Sequence, residues 1–206
     1  MKDFITDLRQ HPSLKIQQRF ELAEFFGFET RNKYSIEDEQ GFQVAFAAEQ
    51  QKGFLGHLFR YFLGHWRKFD ILVFGRDRQP KLRLHHPFRW FFQRLEVFTS
   101  EGAKVGALQQ RFAILSKKFD FEDANGMTVL KMRSPFWRFW TFPISRSGFE
   151  VARIEKSWTG LFAEALTDKD RFKIKWSTEI TDDELLLVLA AGLFIDLQYF
   201  ERKAKN

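Results

Sequence analysis

Between residues 171 and 176 the chain alternates strictly: Phe172, Ile174 and Trp176 fall on one side, and Arg171, Lys173 and Lys175 on the other. A period of two with a cationic outer face marks a half-buried β-strand. Short β-rich stretches recur at 69–74, 81–84, 128–132 and 149–154. Polar clusters at 37–41, 75–80, 100–102, 122–126, 145–148 and 167–170 supply Gly, Asn, Asp or Pro for tight reversals. Six hairpins imply about twelve strands, and a sheet that large closes into a barrel or splits into two layers. The fold expected from the pattern is all-β.

The period changes near the C-terminus. Thr181-Asp182-Asp183-Glu184 is a capping-box signature, with acidic residues at the positive end of the helix dipole. Residues 185–195 then run without one polar side chain. A helix that is apolar all round must be buried on every side. As a helix this run covers about 17 Å, against a bilayer core of about 30 Å, and extending it meets Asp196. Enclosure by the barrel satisfies the same composition. Residues 1–12 are set aside as an N-terminal segment, and 13–206 as one barrel domain with its core helix at about 182–203.

Composition narrows the setting. The 206 residues fit one domain. With no cysteine, disulfides, thiolate chemistry and S-acylation are excluded, which fits a reducing compartment. Residues 1–7 show no apolar run behind a basic one, so no export signal is expected. The 33 Lys+Arg against 27 Asp+Glu give +6, an excess that suits an anionic partner, lipid head groups or nucleic acid. The 27 Phe and 6 Trp are the more unusual feature.

Many of these aromatics gather with arginines in three connections. In 53–68, Phe54, Leu55, Leu58, Phe59, Phe62, Leu63 and Trp66 form a stripe at helical spacing, with Arg60 and Arg67 off it. That pattern reads as an interfacial amphipathic helix. The second connection, 87–94, carries Phe88, Arg89, Trp90, Phe91 and Phe92; the third, 134–142, carries Trp137, Arg138 and Trp140. Aromatics favour the membrane–water interface and arginine pairs with phosphate. Packing of the same rings over a barrel end is the competing reading.

Lys156-Ser157-Trp158-Thr159-Gly160, Glu164-Ala165 and Thr167-Asp168-Lys169-Asp170-Arg171-Phe172-Lys173-Ile174 closely resemble the signature stretch of the phospholipid scramblases. Phe194-Ile195-Asp196 with Phe200-Glu201, the stretch 27–34, Phe46-Ala47-Ala48-Glu49 and Pro87-Phe88-Arg89 agree, so the resemblance runs in order from about Leu14 to Glu201. It implies a twelve-stranded closed antiparallel barrel around a central helix, similar to the tubby C-terminal and LURP-one-related proteins. It also implies membrane association and calcium-stimulated, energy-independent phospholipid movement between leaflets. In animal members the three regions matching the aromatic connections are rich in cysteines, some lipidated; Trp, Phe and Arg stand in their place here.

The family's proposed calcium segment falls on Asp168, Asp170, Phe172, Ile174, Trp176 and Glu179. Calcium wants several oxygen ligands on a flexible loop, whereas Phe172–Trp176 alternates as a strand and three cations crowd the two aspartates. The residues themselves read as an acidic hairpin turn. No catalytic motif is present: Gly-x-Ser-x-Gly, His-Glu-x-x-His and phosphate-binding glycine loops are all absent. His85 and His86, adjacent on a strand, point to opposite faces. The expectation is a cytoplasmic protein, peripheral at the inner face of a membrane, binding anionic phospholipid without a required cofactor. The alternative is a nucleic-acid-binding or adaptor module on the same barrel.

Strand counting adds a geometric expectation. Two strands separate the first aromatic connection from the second, and four, broken near Arg111–Phe112, separate the second from the third. In an up-and-down sheet an even count returns the chain to the same end. All three connections should therefore share one end, and the polar turns, 167–170 among them, the other.

Overall fold

The computed structural model describes residues 1–18, 33–50, 68–113, 116–135, 137, 140–156 and 171–199. Helix α1 (Lys2–Arg9) precedes the strands β1 (Ser13–Gln18), β2 (Lys33–Glu37), β3 (Gln43–Gln50), β4 (Phe69–Gly75), β5 (Pro80–His86) and β6 (Arg94–Thr99). There follow β7 (Lys104–Gln110), β8 (Ser116–Asp123), β9 (Thr128–Pro135), β10 (Thr141–Arg146), β11 (Phe149–Lys156), β12 (Arg171–Trp176) and the helix α2 (Asp182–Tyr199). Each strand pairs antiparallel with its neighbour in sequence, and β12 closes on β1 to complete a twelve-strand barrel. Closure removes the sheet edges that would otherwise pair with other chains.

The alternation in the sequence places the core. Phe172 and Ile174 on β12, Leu14 and Ile16 on β1, and Ile71 and Val73 on β4 all face inward and are buried. Helix α2 fills the space they enclose, and its apolar run from Leu185 to Ile195 is buried throughout. Its start is the capping box read from the sequence. Glu184 accepts from the Thr181 N–H at 2.9 Å, and the Glu184 N–H donates to the Thr181 hydroxyl oxygen at 3.3 Å. Where the helix passes the wall most closely, glycine is required: a Cβ on Gly192 would stand 2.5 Å from Ile174 Cδ1 and 2.8 Å from Ile16 Cδ1.

One end of the barrel is tightly stitched. Four hairpins there repeat one turn, in which a residue in the left-handed region (Gly41, Arg78, Gly102 or Gly126) donates its N–H three residues back. The fifth hairpin turns through Ser147 and Gly148, both at positive φ. Beside every one of these turns the strand register slips, at Ile36/Glu37, Val73/Phe74, Val97/Phe98, Phe121/Glu122 and Ile144/Ser145. Such bulges sharpen the local twist and bend the strands toward closure.

Helix α1 lies within the N-terminal segment 1–12, outside the barrel domain expected from the pattern, and seals this end. Phe4, Ile5 and Leu8 are buried in the core. Arg9 holds Asp182 at 2.7 Å and donates to the Ile180 carbonyl at 2.7 Å, tying α1 to the start of α2.

Candidate functional site

The opposite end is built from the longer connections. The described parts of all three aromatic connections meet there, because β3, β5 and β9 end at it and β4, β6 and β10 begin at it. The break near Arg111–Phe112 is also present: β7 stops at Gln110 and β8 starts at Ser116. The parity expectation holds for the connections. The turn expected at 167–170 lies outside the described residues; the described strand ends on either side of it, Lys156 and Arg171, are at the aromatic end.

The second connection is the best defined. Residues 87–93 expose Phe88, Trp90, Phe91 and Phe92, with Phe91 84% accessible and Trp90 57%. Its ends are clasped from below: His86 Nε2 meets Gln93 Oε1 at 2.7 Å, both residues being buried. The His86 ring stacks on Phe69 at 4.6 Å and leans on Phe194 of α2 at 5.7 Å. The Gln93 N–H donates to Gln110 Oε1 at 3.0 Å, and the Gln110 N–H to the Gln93 carbonyl at 2.8 Å. Phe88 and Trp90 meet edge to face at 5.4 Å. The outer rings are therefore presented by an anchored loop. His85, on the other face of β5, pairs with Asp70 at 2.7 Å, as adjacency on a strand requires.

Two further exposed rings share this end: Trp137, 64% accessible, and Phe112, 71%. Phe112 was not among the expected site residues; the strand break at Arg111–Phe112 was its signal. Trp140 is half-buried against the core with Lys156 Nζ 4.8 Å from its ring, so it packs rather than projects. Arg89 is exposed beside Trp90. Phe59, Arg60, Trp66, Arg67 and Arg138 lie outside the described residues, as does the expected amphipathic helix in 53–68.

Just behind the loops the outer wall is charged and internally neutralised. Arg111 reaches Asp120 at 2.8 Å and Glu122 at 3.1 Å; Arg133 reaches Asp120, and Arg94 reaches Glu122, each at 2.8 Å. Burial opposes ionisation of Asp120, but the bonds from Arg133 and Arg111 outweigh it and hold the carboxyl below its usual value.

The calcium segment does not assemble among the described residues. Phe172 and Ile174 are core side chains, and Trp176 packs against the core. From Arg171 to Trp176 the strand advances about 17 Å, so Glu179 lies at the sealed end while Arg171 is at the aromatic end. Carboxylates at the two ends of β12 cannot share one ion. Asp168 and Asp170 lie outside the described residues; among those described, no three His, Asp or Glu are grouped to hold a metal. Nor, among them, is any helix long and apolar enough to cross a membrane.

Comparison with known proteins agrees with the architecture. The family model described as Scramblase matches residues 2–202. Human phospholipid scramblase 1 is 29% identical over 94% of this chain, which spans 64% of that protein's length. Altered inheritance rate of mitochondria protein 25 of Saccharomyces cerevisiae is 22% identical over 98% of this chain and 74% of its own. A crystal structure of an Arabidopsis thaliana protein superposes with a TM-score of 0.50 at 12% identity, covering 93% of this chain and 94% of the other. That likeness concerns the fold alone.

Proposed function

The chain belongs to the Scramblase family, and from that premise we propose that it docks on anionic phospholipid surfaces by the aromatic end of its barrel. One observation carries this reading. Trp90, Phe91, Phe112 and Trp137 are exposed at the same end, and the three aromatic connections, 53–68, 87–94 and 134–142, carry arginines and no acidic residue. Exposed aromatics grouped with cations suit the interface of an anionic bilayer. The contact set is Phe59, Arg60, Trp66, Arg67, Arg89, Trp90, Phe91, Trp137 and Arg138, with Trp140 beneath them as support.

The packed interior favours surface docking over passage of lipid through the barrel, since α2 occupies the space a head group would need. Phospholipid movement between leaflets, the activity its relatives are named for, would then be promoted from the interface, by rings wedged among the head groups. Nucleic acid is a poorer fit. Single strands bind grooves of available cations with stacking rings, whereas Arg94, Arg111, Arg133 and Arg153 on the wall are engaged by carboxylates. Docking is proposed to need no calcium, because the carboxylate Glu179 is a barrel length from Arg171.

Liposome flotation of Trp90→Ala, Trp137→Ala, Arg138→Ala tests the reading. The folded triple variant should float far less than the unsubstituted protein at matched lipid, with or without calcium. Unchanged flotation would show that these rings merely cover the barrel end. A leaflet-exchange assay in reconstituted vesicles decides whether docking is accompanied by scrambling.

A further inference from the structure

The connection between β7 and β8 carries an arginine and a ring outside the three aromatic connections. Phe112 is 71% accessible at the aromatic end, and Arg111 before it is exposed. The Arg111 N–H donates to the Lys118 carbonyl at 2.9 Å, which ties this corner to β8.

The Arg111 side chain turns back along the outer wall. Its Nε donates to Asp120 Oδ2 at 2.8 Å and its Nη2 to Glu122 Oε1 at 3.1 Å. Neither carboxylate depends on it alone. Asp120 also holds Arg133, and Glu122 also holds Arg94, each at 2.8 Å. Those two arginines are committed elsewhere as well: Arg133 donates to the Phe119 and Met132 carbonyls, and Arg94 to Gln109 from a largely buried position. Arg111 has no further partner among the described residues, and its side chain is 45% accessible. Of the five N–H donors an arginine carries, only those on Nε and one on Nη2 are used. Exposed ion pairs contribute little to stability, so in this cluster Arg111 is the guanidinium that can take an outside acceptor at small cost.

Its depth follows from the register. Asp120 pairs with Gln109, two residues before Arg111, so the guanidinium lies about 7 Å behind the rim along the strand. The head-group layer of a bilayer is about 5–8 Å thick on each side. A ring at position 112 set at the hydrocarbon boundary therefore brings the guanidinium to the level of the phosphates. The two carboxylates hold the fork in one orientation, which reduces the freedom lost on binding.

We infer that Arg111 and Phe112 form a further lipid contact, in which Phe112 enters the interface and Arg111 donates its remaining N–H groups to the phosphate of a phospholipid head group. The inference rests on the docking reading, since it needs the aromatic end to face the bilayer. One spare guanidinium does not make the row of cations that a nucleic-acid strand requires, but a single head group needs only one. The competing account is that Arg111 does no more than neutralise Asp120 and Glu122.

The first test compares Arg111→Gln with Lys104→Gln, which removes the same charge from the other end of β7, where Lys104 is exposed. Binding of the full chain is measured to vesicles of phosphatidylcholine with phosphatidylserine, and folding is checked by circular dichroism. Arg111→Gln should weaken binding about fivefold, the effect of one basic residue close to an anionic surface. Lys104→Gln, a barrel length from that surface, should change it less than about twofold. Unchanged affinity in folded Arg111→Gln, or an equal loss in both variants, overturns the phosphate contact.

A second test leaves Arg111 and its carboxylates in place. The chain has no cysteine, so Phe112→Cys, Phe91→Cys or Lys104→Cys places a polarity-sensitive fluorophore at a single position. On the same vesicles the labels at 112 and 91 should shift to shorter wavelength, and the label at 104 should not. A shift at 91 without one at 112 overturns this inference and leaves docking by the aromatic end intact. A shift at 104 alone, or at none of the three, defeats the docking reading and this inference with it.

Discussion

At one end of the barrel five short hairpins join the strands, four through the same turn, and each is followed by a slip of register. At the other end three of the connections, 53–68, 87–94 and 134–142, are aromatic and cationic, while 19–32 and 157–170, joining strands at the same end, carry acidic residues as well. Both ends expose apolar side chains. Phe42, Met127 and Phe149, at the stitched end, are 67–79% accessible, within the range spanned by Trp90 and Phe91 at the other, so the turns read as polar from the sequence also present apolar side chains. The difference lies in context. Phe42 follows Asp38 and Glu39, Met127 follows Asp123, and Phe149 precedes Glu150, each apolar side chain alone on its turn. At the aromatic end the rings are contiguous, clasped from beneath by His86 and Gln93, and flanked by arginine. Exposure by itself therefore does not mark a docking face; grouping and charge do.

If the stitched end serves stability, its core side chains should be the costliest to remove. Leu8 on α1 is fully buried, and a buried Leu→Ala change costs about 2–5 kcal/mol. Leu8→Ala should lower the denaturant midpoint accordingly, while the folded fraction floats on vesicles as before. A loss below about 1 kcal/mol, on the same scale, would show that α1 is dispensable as a seal.

The complementary change belongs to the other end. Trp90→Ala with Phe91→Ala removes two exposed rings that each forfeit part of the roughly 1.5–3 kcal/mol available to a fully buried large apolar side chain. Vesicle affinity should fall about tenfold, with the thermal midpoint unmoved. A variant that melts early would place these rings in the fold rather than on a partner.

The two ends were unequally legible. The stitched end announced itself, since Gly41, Gly102, Gly126 and Gly148 sit in polar clusters that only a turn explains, and Thr181 with Glu184 marked the start of α2. Helix α1 escaped because its few apolar residues, Phe4, Ile5 and Leu8, form a short stripe in a polar octet. Its burial depends on a barrel mouth assembled from distant strands. The twelve strands and the enclosed helix followed from local periods. The ion pairs Arg111–Asp120 and Arg94–Glu122 follow from register across strands, which no local pattern encodes.

At the stitched end Glu184 links the helix cap to the wall through Arg146. Burial opposes its ionisation, but its bonds with Arg146 and Thr181 outweigh that and hold its carboxyl below the usual value. A lowered carboxyl stabilises the fold above its unfolded-state value, near 4.3, and that contribution disappears as pH falls through the lowered one. Glu184→Gln should cost about 1–2 kcal/mol at neutral pH and should flatten the loss of stability on acidification below about pH 4. An acid limb of unchanged slope would place the titration elsewhere, with Asp120 the next group to test.

The smallest expected effect is the sharpest check on the comparison, because it concerns rings that look alike and are predicted to differ. Phe149 is 79% accessible and Phe91 84%, so accessibility alone would rank them together. Phe149 stands on a two-residue turn beside Glu150, whose carboxylate is engaged by Arg153 at 2.7 Å, and its nearest exposed apolar companions are on other hairpins. Pressing that turn into an anionic surface would bring acidic side chains against phosphate for the gain of a single ring. Phe91 has Trp90 and Phe92 on the same clasped loop and Arg89 beside them. Phe149→Ser should therefore leave flotation unchanged and stability within about 0.5 kcal/mol, as for surface positions in general. Phe91→Ser should lower flotation measurably at equal stability. If the two substitutions weaken membrane binding alike, the barrel has no preferred end, and docking by the aromatic connections is wrong even though the fold stands.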